Sequence, residues 1–295
     1  MAKQEIPVYD ICSISQKNGS TDLLIQRFGD YLKTHYQQLH RPHRHSFYHF
    51  VLFTKGSGYH TIDFDRYPVK PWQLYCMIPG QVHSWHFDGE TDGYLVHFNE
   101  TLFTTFLHNG HYLDRFGFFL GPGSPQVMQL PPEVQQSATA IMETLLAEMT
   151  GNATMNPDLI RIKLLEFFIL AERINQSTNR KPIPRQKHTL LRSFQQLIER
   201  HYLTTRLPKE YAELLYITPN HLNALCQDLL GKSAGELIRD RVLLEAKRLL
   251  TNAEMTSSQI AAELHFEDSS YFTRFFRKYT GLTPEAFRKS IYQEK

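Results

Sequence analysis

The sequence is poor in cysteine and has no long apolar run. Three cysteines are scattered over 295 residues, at Cys12, Cys76 and Cys226, and none belongs to a CxxC pair. Such a set does not form a disulfide framework, and it indicates reduced thiols. No stretch approaches the roughly 20 apolar residues of a membrane span, and the first residues have no apolar signal core. We therefore expect a cytoplasmic protein that has no membrane partner.

A large net charge is also missing, but the charges are unevenly divided. The chain has 32 basic and 30 acidic residues. The first 180 residues hold 14 basic and 17 acidic side chains, whereas the rest hold 18 basic and 13 acidic. A basic C-terminal third on a mildly acidic chain is typical of a module that binds nucleic acid. The excess is small, so charge alone is weak support.

A helix-turn-helix pattern occurs twice between residues 207 and 288, fifty residues apart. Thr218 and Asp268 are the predicted N-caps of the second helix in each copy, and Gly231 and Gly281 supply the left-handed residue that ends it. Apolar residues at i, i+3, i+4 and i+7 give each second helix one buried face and leave the other for a major groove. Helical hairpins also occur in proteins that never meet DNA, but the repetition favours DNA binding.

Residues 237–250 form an uninterrupted amphipathic segment between the two copies. A continuous helix there would hold the two reading helices at a fixed separation. Successive major-groove faces on one side of DNA lie roughly 34–36 Å apart. A rigid connector therefore suits a monomer that reads two adjacent turns.

Polar residues on the open faces of the two second helices are the predicted DNA contacts. Arginine suits bidentate contact with guanine, and asparagine suits adenine. The second copy is the more cationic, so we expect it to anchor the DNA backbone while the first copy reads sequence. The predicted set is Asn220, His221, Asn223, Ser269, Ser270, Thr273, Arg274, Arg277 and Lys278. An ordinary solvated helix position is the alternative for each, most of all for the serines.

Residues 207–288 resemble the DNA-binding domain of the AraC/XylS family of bacterial transcription regulators, most closely over 260–288 and in the connector at 241–250. The resemblance implies a DNA-binding regulator rather than an enzyme. Double-stranded operator DNA would be its partner, and RNA polymerase too if it is an activator. His265 stands where the family usually has glycine. The first reading helix departs from the family at three positions. Ala224, Cys226 and Gln227 stand where Arg, Phe and Lys, in that order, are usual.

Short runs of aromatic and β-branched residues fill the N-terminal half. Turn signals such as Gly56-Ser57-Gly58 and Pro79-Gly80 separate them, and this regular spacing predicts a small β-barrel or jelly roll. The predicted strands are 47–54, 59–64, 73–78, 82–87 and 93–98. This half resembles a cupin, specifically the effector domain that precedes the DNA-binding domain in many AraC-type regulators.

Four histidines of the predicted barrel fit the spacing of the cupin motifs. Strand alternation predicts that His43, His45 and His49 share one face of a strand. In a metal-binding cupin an HxH pair, a glutamate and a later histidine hold one ion, and here His49 replaces the glutamate while His83 is the later histidine. Four imidazoles suit Zn, Ni, Cu or Fe. The family resemblance, however, implies a barrel that holds a small organic effector without a metal or other cofactor.

Strand alternation places several aromatic residues on the same face as these histidines. This combination predicts an effector pocket, since small-molecule sites are mostly apolar with a few polar groups. The predicted effector-binding residues are His43, His45, Phe47, His49, His83, Trp85 and Phe87. An aromatic acid or a sugar would suit such a pocket. One alternative is a metal-binding cupin, sensor or enzyme, fused to the DNA-binding domain. Another is that these side chains are ordinary core residues.

The expected fold is α+β with several domains. A cupin-like β-barrel takes residues 1–130, a helical hairpin 131–176, a polar, proline-containing linker 177–188, and an all-α domain with two helix-turn-helix units 189–295. The hairpin resembles the dimerisation helices of the family, which implies a homodimer. Covering the open face of the barrel is the alternative role for these two helices.

Overall fold

The structure is a computed structural model that describes residues 6–14, 22–109, 112–119, 126–150, 157–178, 185–251 and 255–293. The chain divides into two compact units, one of residues 7–181 and one that contains residues 182–295. The division falls inside the predicted linker at 177–188. Among the helices that are described, none has the length and apolar character needed to cross a membrane.

The first unit is rich in β-structure, as the sequence predicts. Its described strands are β1 (Val8–Tyr9), β2 (Leu23–Arg27), β3 (His43–His45), β4 (Tyr48–Lys55), β5 (Gly58–Ile62), β6 (Asp65–Pro68), β7 (Gln73–Met77), β8 (Val82–Phe87), β9 (Asp92–Phe98) and β10 (Val127–Gln129). Its described α-helices are α1 (Ile11–Ile14), α2 (Phe28–Leu39), α3 (Thr101–Leu107), α4 (Pro132–Thr150) and α5 (Pro157–Thr178). The five predicted strands are confirmed with ends shifted by at most two residues.

The described strands form two five-stranded sheets. Sheet A has the order β1-β3-β8-β5-β6, and sheet B has the order β10-β7-β4-β9-β2. All pairs are antiparallel except the pair of β1 with β3. Phe53 and Tyr75 of sheet B lie 5.4 and 5.6 Å from Trp85 of sheet A between ring centroids, so the sheets face each other across an aromatic core. This is the double-sheet arrangement of a cupin-like barrel.

Alternation along β4 separates two cores. Val51 and Phe53 are buried between the sheets, whereas Phe50 and Leu52 are buried on the opposite face of sheet B. That face is covered by α4 and α5, and the Phe50 ring stacks on Phe167 of α5 with centroids 5.3 Å apart. The apolar stripe of the hairpin therefore covers a sheet, which is the alternative role that the sequence left open.

The described part of the second unit is helical. Its helices are α6 (Arg185–His201), α7 (Pro208–Leu214), α8 (Pro219–Leu230), α9 (Ala234–Leu250), α10 (Ser257–Glu263), α11 (Ser269–Thr280) and α12 (Pro284–Gln293). The predicted linker at 177–188 thus overlaps the end of α5 and the start of α6, and residues 179–184 lie outside the described ranges. Three of the seven helices begin at proline, which fits the first helical position because its missing N–H has no partner there.

Both helix-turn-helix units have the predicted caps. The side chains of Thr218 and Asp268 accept hydrogen bonds from the backbone N–H groups of His221 and Tyr271, at 3.2 and 2.6 Å. Gly231 and Gly281 end α8 and α11 with φ of 67° and 79°. These positive φ values are accessible to glycine without Cβ strain. The helix-turn-helix prediction is confirmed in its local geometry.

The connector α9 begins three residues earlier than predicted, because Ser233 and Glu236 form a capping box. Its first half packs into the core of the first helix-turn-helix unit through Ile238, and its second half packs into the core of the second through Ala246. Between them Arg241 is buried and pairs with Glu199 of α6 at 2.8 Å and with Glu245 at 3.0 Å. The single helix α9 thus packs against both helix-turn-helix units.

Candidate functional site

A cationic stripe runs along the exposed side of α11. Ser270, Arg274, Arg277 and Lys278 are exposed and recur at helical spacing, while Phe272 on the other side is fully buried. Arginine and lysine neutralise phosphates and donate to guanine edges, so this stripe has the chemistry of a DNA-contacting face. Contact between these four residues and DNA stays a prediction.

The corresponding stripe of α8 has no cationic residue. At the offset of fifty residues, Ser270, Arg274, Arg277 and Lys278 correspond to Asn220, Ala224, Gln227 and Asp228, and all four are exposed. Asp228 pairs with Lys187 at 2.7 Å. His221, also exposed, adds an imidazole beside Asn220. The first helix therefore offers hydrogen-bonding groups, and the second offers positive charge.

Three predicted contacts are only half-exposed, and two of them use their side chains inside the domain. Asn223 is half-buried, and its Oδ1 accepts a hydrogen bond from the backbone N–H of Ala234 at 3.0 Å. Ser269 and Thr273 are also half-buried, and the Thr273 hydroxyl donates to the Ser269 carbonyl at 2.8 Å. The Asn223 oxygen that would pair with adenine is engaged at the start of α9. Asn223 is therefore a weaker candidate for base reading than the sequence indicates.

Gln227 is a candidate that the sequence prediction missed. It is exposed on the same side of α8 as Asn220. A glutamine amide pairs with adenine as an asparagine does. Gln227 aligns with the predicted Arg277 at the fifty-residue offset between the two copies. This alignment could have identified Gln227 from the sequence.

The turn of each helix-turn-helix unit contains one residue in the left-handed conformation. Tyr216 and His265 have φ of 55° and 53°. Glycine is the usual residue for this conformation because it has no Cβ to clash with the backbone. The position therefore explains why glycine is the family's usual residue at His265. Tyr216 is 95% exposed in the turn that precedes α8.

Six buried histidines form a cluster between the two sheets of the first unit. Sheet A contributes His43, His45, His60 and His83, and sheet B contributes His49 and His97. Every one of them is at most 2% exposed. His45 is central, with ring centroids 4.9 Å from His43, 4.6 Å from His83 and 5.1 Å from His49.

The prediction that His43, His45 and His49 share one strand is wrong. His43 and His45 lie on β3 in sheet A, whereas His49 lies on β4 in sheet B. The chain crosses from one sheet to the other at residues 46–47. The three imidazoles still converge, because both strands direct these residues into the space between the sheets.

Hydrogen bonds join the cluster in pairs. His49 Nδ1 and His97 Nε2 are 2.8 Å apart, and His60 Nε2 and His83 Nδ1 are 2.9 Å apart. His43 Nδ1 donates to the backbone carbonyl of Arg41 at 2.8 Å. Within the described chain, the Nε2 atoms of His43, His45, His49 and His83 are buried without a hydrogen-bond partner.

The cluster is held in its neutral form. Burial lowers the pKa of His43 to about 4 and that of His49 to about 3. Burial, reinforced by the neighbouring imidazoles, lowers the pKa values of His45, His60, His83 and His97 well below the ordinary value. Neutral imidazoles have lone pairs, so the cluster can accept hydrogen bonds or ligate a cation.

His60 and His97 were not predicted as site residues. His97 faces His49 in the β4–β9 register, and Ile62, two residues after His60, faces His83 in the β5–β8 register. Both lie on strands that the sequence did predict. Their membership of the cluster depends on which strands pair, and this is a long-range property that a local pattern of alternation does not contain.

The predicted aromatic residues border surface cavities as well as the cluster. A cavity of about 540 Å³ lies against α2 and the turn after β8, and Lys33, Tyr36, Phe87 and Asp92 contribute to its wall. Tyr36 also borders a second cavity of about 240 Å³, whose wall includes Trp85. The remaining predicted effector residues, His43, His45, Phe47, His49 and His83, are buried between the sheets.

Comparison with known proteins matches both units to protein families. The profile of the AraC-like ligand binding domain matches residues 31–167. The profile of the helix-turn-helix domain matches residues 211–290. The two matches fall in the two compact units.

Individual relatives and one solved structure are similar to this chain over half or more of their own length. The HTH-type transcriptional activator RhaR of Yersinia pestis bv. Antiqua (strain Angola) is 24% identical over 257 residues, 86% of either chain. The HTH-type transcriptional regulator YijO of Escherichia coli (strain K12) is 26% identical over 167 residues, 57% of this chain and half of its own length. The crystal structure of ToxT from Vibrio cholerae O395 covers 90% of this chain and 96% of its own, at 11% identity and a TM-score of 0.44.

The two family matches, the capped pair of helix-turn-helix units and the double-sheet first unit agree with one another. The chain belongs to the AraC/XylS family of transcription regulators.

Proposed function

We propose that the protein binds operator DNA through α8 and α11 and that a small organic molecule bound by the first unit controls this binding. The observation that carries the proposal is the pair of matched, capped helices with exposed polar stripes, joined by one continuous helix. The 17 residues of α9 span about 25 Å at 1.5 Å per residue. As a rigid rod, α9 fixes the separation of the two reading helices, which reading of successive grooves on one side of the DNA requires.

The effector site that we propose lies where α2 meets the barrel. The cavity of about 540 Å³ is in the size range of small-molecule sites, roughly 300–1,000 Å³. Tyr36 and Phe87 supply aromatic surface there, and their rings lie 6.2 Å apart. Lys33 and Asp92 supply polar groups of both signs. A compact ligand with an aromatic ring and a polar group, such as an aromatic acid, fits this wall.

Control of DNA binding then follows from a shift between two arrangements of the protein. A ligand that binds one arrangement more tightly than the other changes the populations by its difference in affinity. The helices α4 and α5 belong to the ligand-binding unit and precede the DNA-binding unit in the chain. We propose that a homodimer formed through α5 transmits the shift, with Ile162 and Ile169 exposed on one side of that helix. RNA polymerase is a further partner if the protein is an activator.

The test of effector control is a thermal-shift screen of the full chain against small aromatic acids and sugars. A ligand at a hundred times its Kd adds about 2.7 kcal/mol to the stability of the unit that binds it. We expect the response to vanish in Tyr36→Ala and to persist in Tyr36→Phe, which keeps the ring. The ligand should also change operator affinity in a gel-shift titration. A complete lack of response across the panel would contradict effector control, and an equal response in Tyr36→Ala would move the site elsewhere.

A further inference from the structure

The six buried histidines lie apart from the proposed effector cavity, whose wall contains none of them. We propose that His43, His45 and His83 bind a divalent transition-metal ion through their ring nitrogens, with His49 beside them as a fourth imidazole. The metal site lies between the sheets, whereas the proposed effector cavity lies against α2. The two proposals are independent of each other.

The distances between the rings favour a common ligand. One ring nitrogen from each of His43, His45 and His83 lies within 4.8 Å of the others. The ring centroids of His43 and His83 are 4.1 Å apart. Around an ion with metal–nitrogen distances of 2.0–2.1 Å, tetrahedral ligands lie about 3.4 Å from one another. Small rotations of the three side chains therefore close the set around an ion.

The hydrogen bonds of His43, His49 and His83 are made through Nδ1, which leaves Nε2 for a metal. His43 Nδ1 donates to the Arg41 carbonyl, which fixes the tautomer and leaves the lone pair on Nε2. His83 pairs through Nδ1 with His60, and His49 pairs through Nδ1 with His97. Metal-binding histidines almost always have their other ring nitrogen held in this way. His60 and His97 are thus positioning residues for His83 and His49.

The unpartnered atoms point to the same conclusion. Core histidines are normally hydrogen-bonded, because a buried polar group without a partner is costly. Here His43, His45, His49 and His83 all have a buried Nε2 that finds no partner within the described ranges. A metal ion would use the lone pairs of His43, His45 and His83 together. A donor set made only of imidazole favours Zn²⁺, Cu²⁺, Ni²⁺ or Fe²⁺ over Mg²⁺ or Ca²⁺, which prefer oxygen ligands.

The experiment is metal reconstitution of the untagged full-length protein. The chelator-treated chain is supplied with Zn²⁺, Co²⁺, Ni²⁺ or Cu²⁺ alone, desalted and analysed for metal, and its affinity is measured by competition with a chelator. We expect one ion per chain. His45→Gln and His83→Gln should lose it, and His60→Gln should bind about 10–100-fold more weakly, the usual effect of removing an orienting partner. His86→Gln is the matched control, since His86 lies on the same strand as His83 but has an exposed ring.

Two results would overturn the proposal. One is substoichiometric metal in the wild-type protein with all four ions. The other is wild-type affinity in His83→Gln, which would place the metal on other groups. Electron paramagnetic resonance of the wild-type Cu²⁺ complex supplies a readout that needs no variant to fold, and hyperfine coupling to several imidazole nitrogens is expected. The first of these results, in a protein that still responds to an organic ligand, would refute the metal site and leave effector control standing.

Discussion

At the level of single residues, the charge difference between α11 and α8 gives Arg274 particular weight. We expect Arg274→Ala to weaken operator binding and, if the guanidinium contacts a phosphate, to reduce the slope of log affinity against log salt concentration by about one. Gel-shift titrations at several salt concentrations measure both quantities. Arg66→Ala is the control, because Arg66 is an exposed arginine of the first unit. Unchanged affinity in Arg274→Ala would refute the assignment.

Residue-level predictions from the sequence succeeded where the signal was local. Thr218, Asp268, Gly231 and Gly281 act on neighbouring backbone groups, and their cap roles follow from residue type and position. The role of Asn223 was different. Its oxygen binds Ala234, eleven residues away, and helical periodicity does not reveal such a partner.

At the level of elements, the network around Arg241 holds α9 against α6. The Arg241 side chain is buried between Glu199 and Glu245 and lies under the Tyr202 ring, 3.9 Å from its centroid. Removing the Arg241 guanidinium leaves the negative charges of Glu199 and Glu245 without their positive partner. We expect Arg241→Ala to lower the free energy of unfolding of the second unit by about 2–3 kcal/mol. This is less than the usual cost of breaking a fully buried ion pair because the two glutamates are partly exposed.

Circular dichroism and tryptophan fluorescence during urea unfolding distinguish the two units. Both tryptophans, Trp72 and Trp85, lie in the first unit. Arg241→Ala should lower the midpoint of the part of the helical signal that the second unit contributes and leave the fluorescence midpoint unchanged. Lys232→Ala is the control, because its pair with Asp240 is exposed and worth less than about 1 kcal/mol. Equal effects of the two substitutions would contradict a structural role for Arg241.

The elements themselves were predictable to different degrees. The strands β4, β5, β7, β8 and β9 and the helix α9 have strong periodicity and lie close to their predicted positions. The chain's crossing between β3 and β4 was not predicted, because the spacing of His43, His45 and His49 fits one continuous strand equally well. Tertiary packing decides between these possibilities, since each sheet must bury one face.

At the level of the whole molecule, the face of α5 that points away from sheet B bears on assembly. Ile162 and Ile169 are 52% and 41% exposed and lie two helical turns apart. We expect the wild-type chain to dimerise and the double variant Ile162→Glu, Ile169→Glu to dimerise more weakly. Sedimentation equilibrium measures both. Val8→Glu alters another exposed apolar residue and should leave the dimer intact. A wild-type monomer at micromolar concentration would contradict this prediction.

The central claim is that α8 and α11 each read one DNA groove from a single chain. Selection of bound sequences from random DNA by the full-length protein tests it most directly, with Asn220→Ala and Arg274→Ala selected in parallel. The account predicts a site with two conserved elements whose centres lie about 10–10.5 base pairs apart. Conservation should fall at one element in Asn220→Ala and at the other in Arg274→Ala. Selection of no common sequence, or of sites that neither substitution changes, would contradict it.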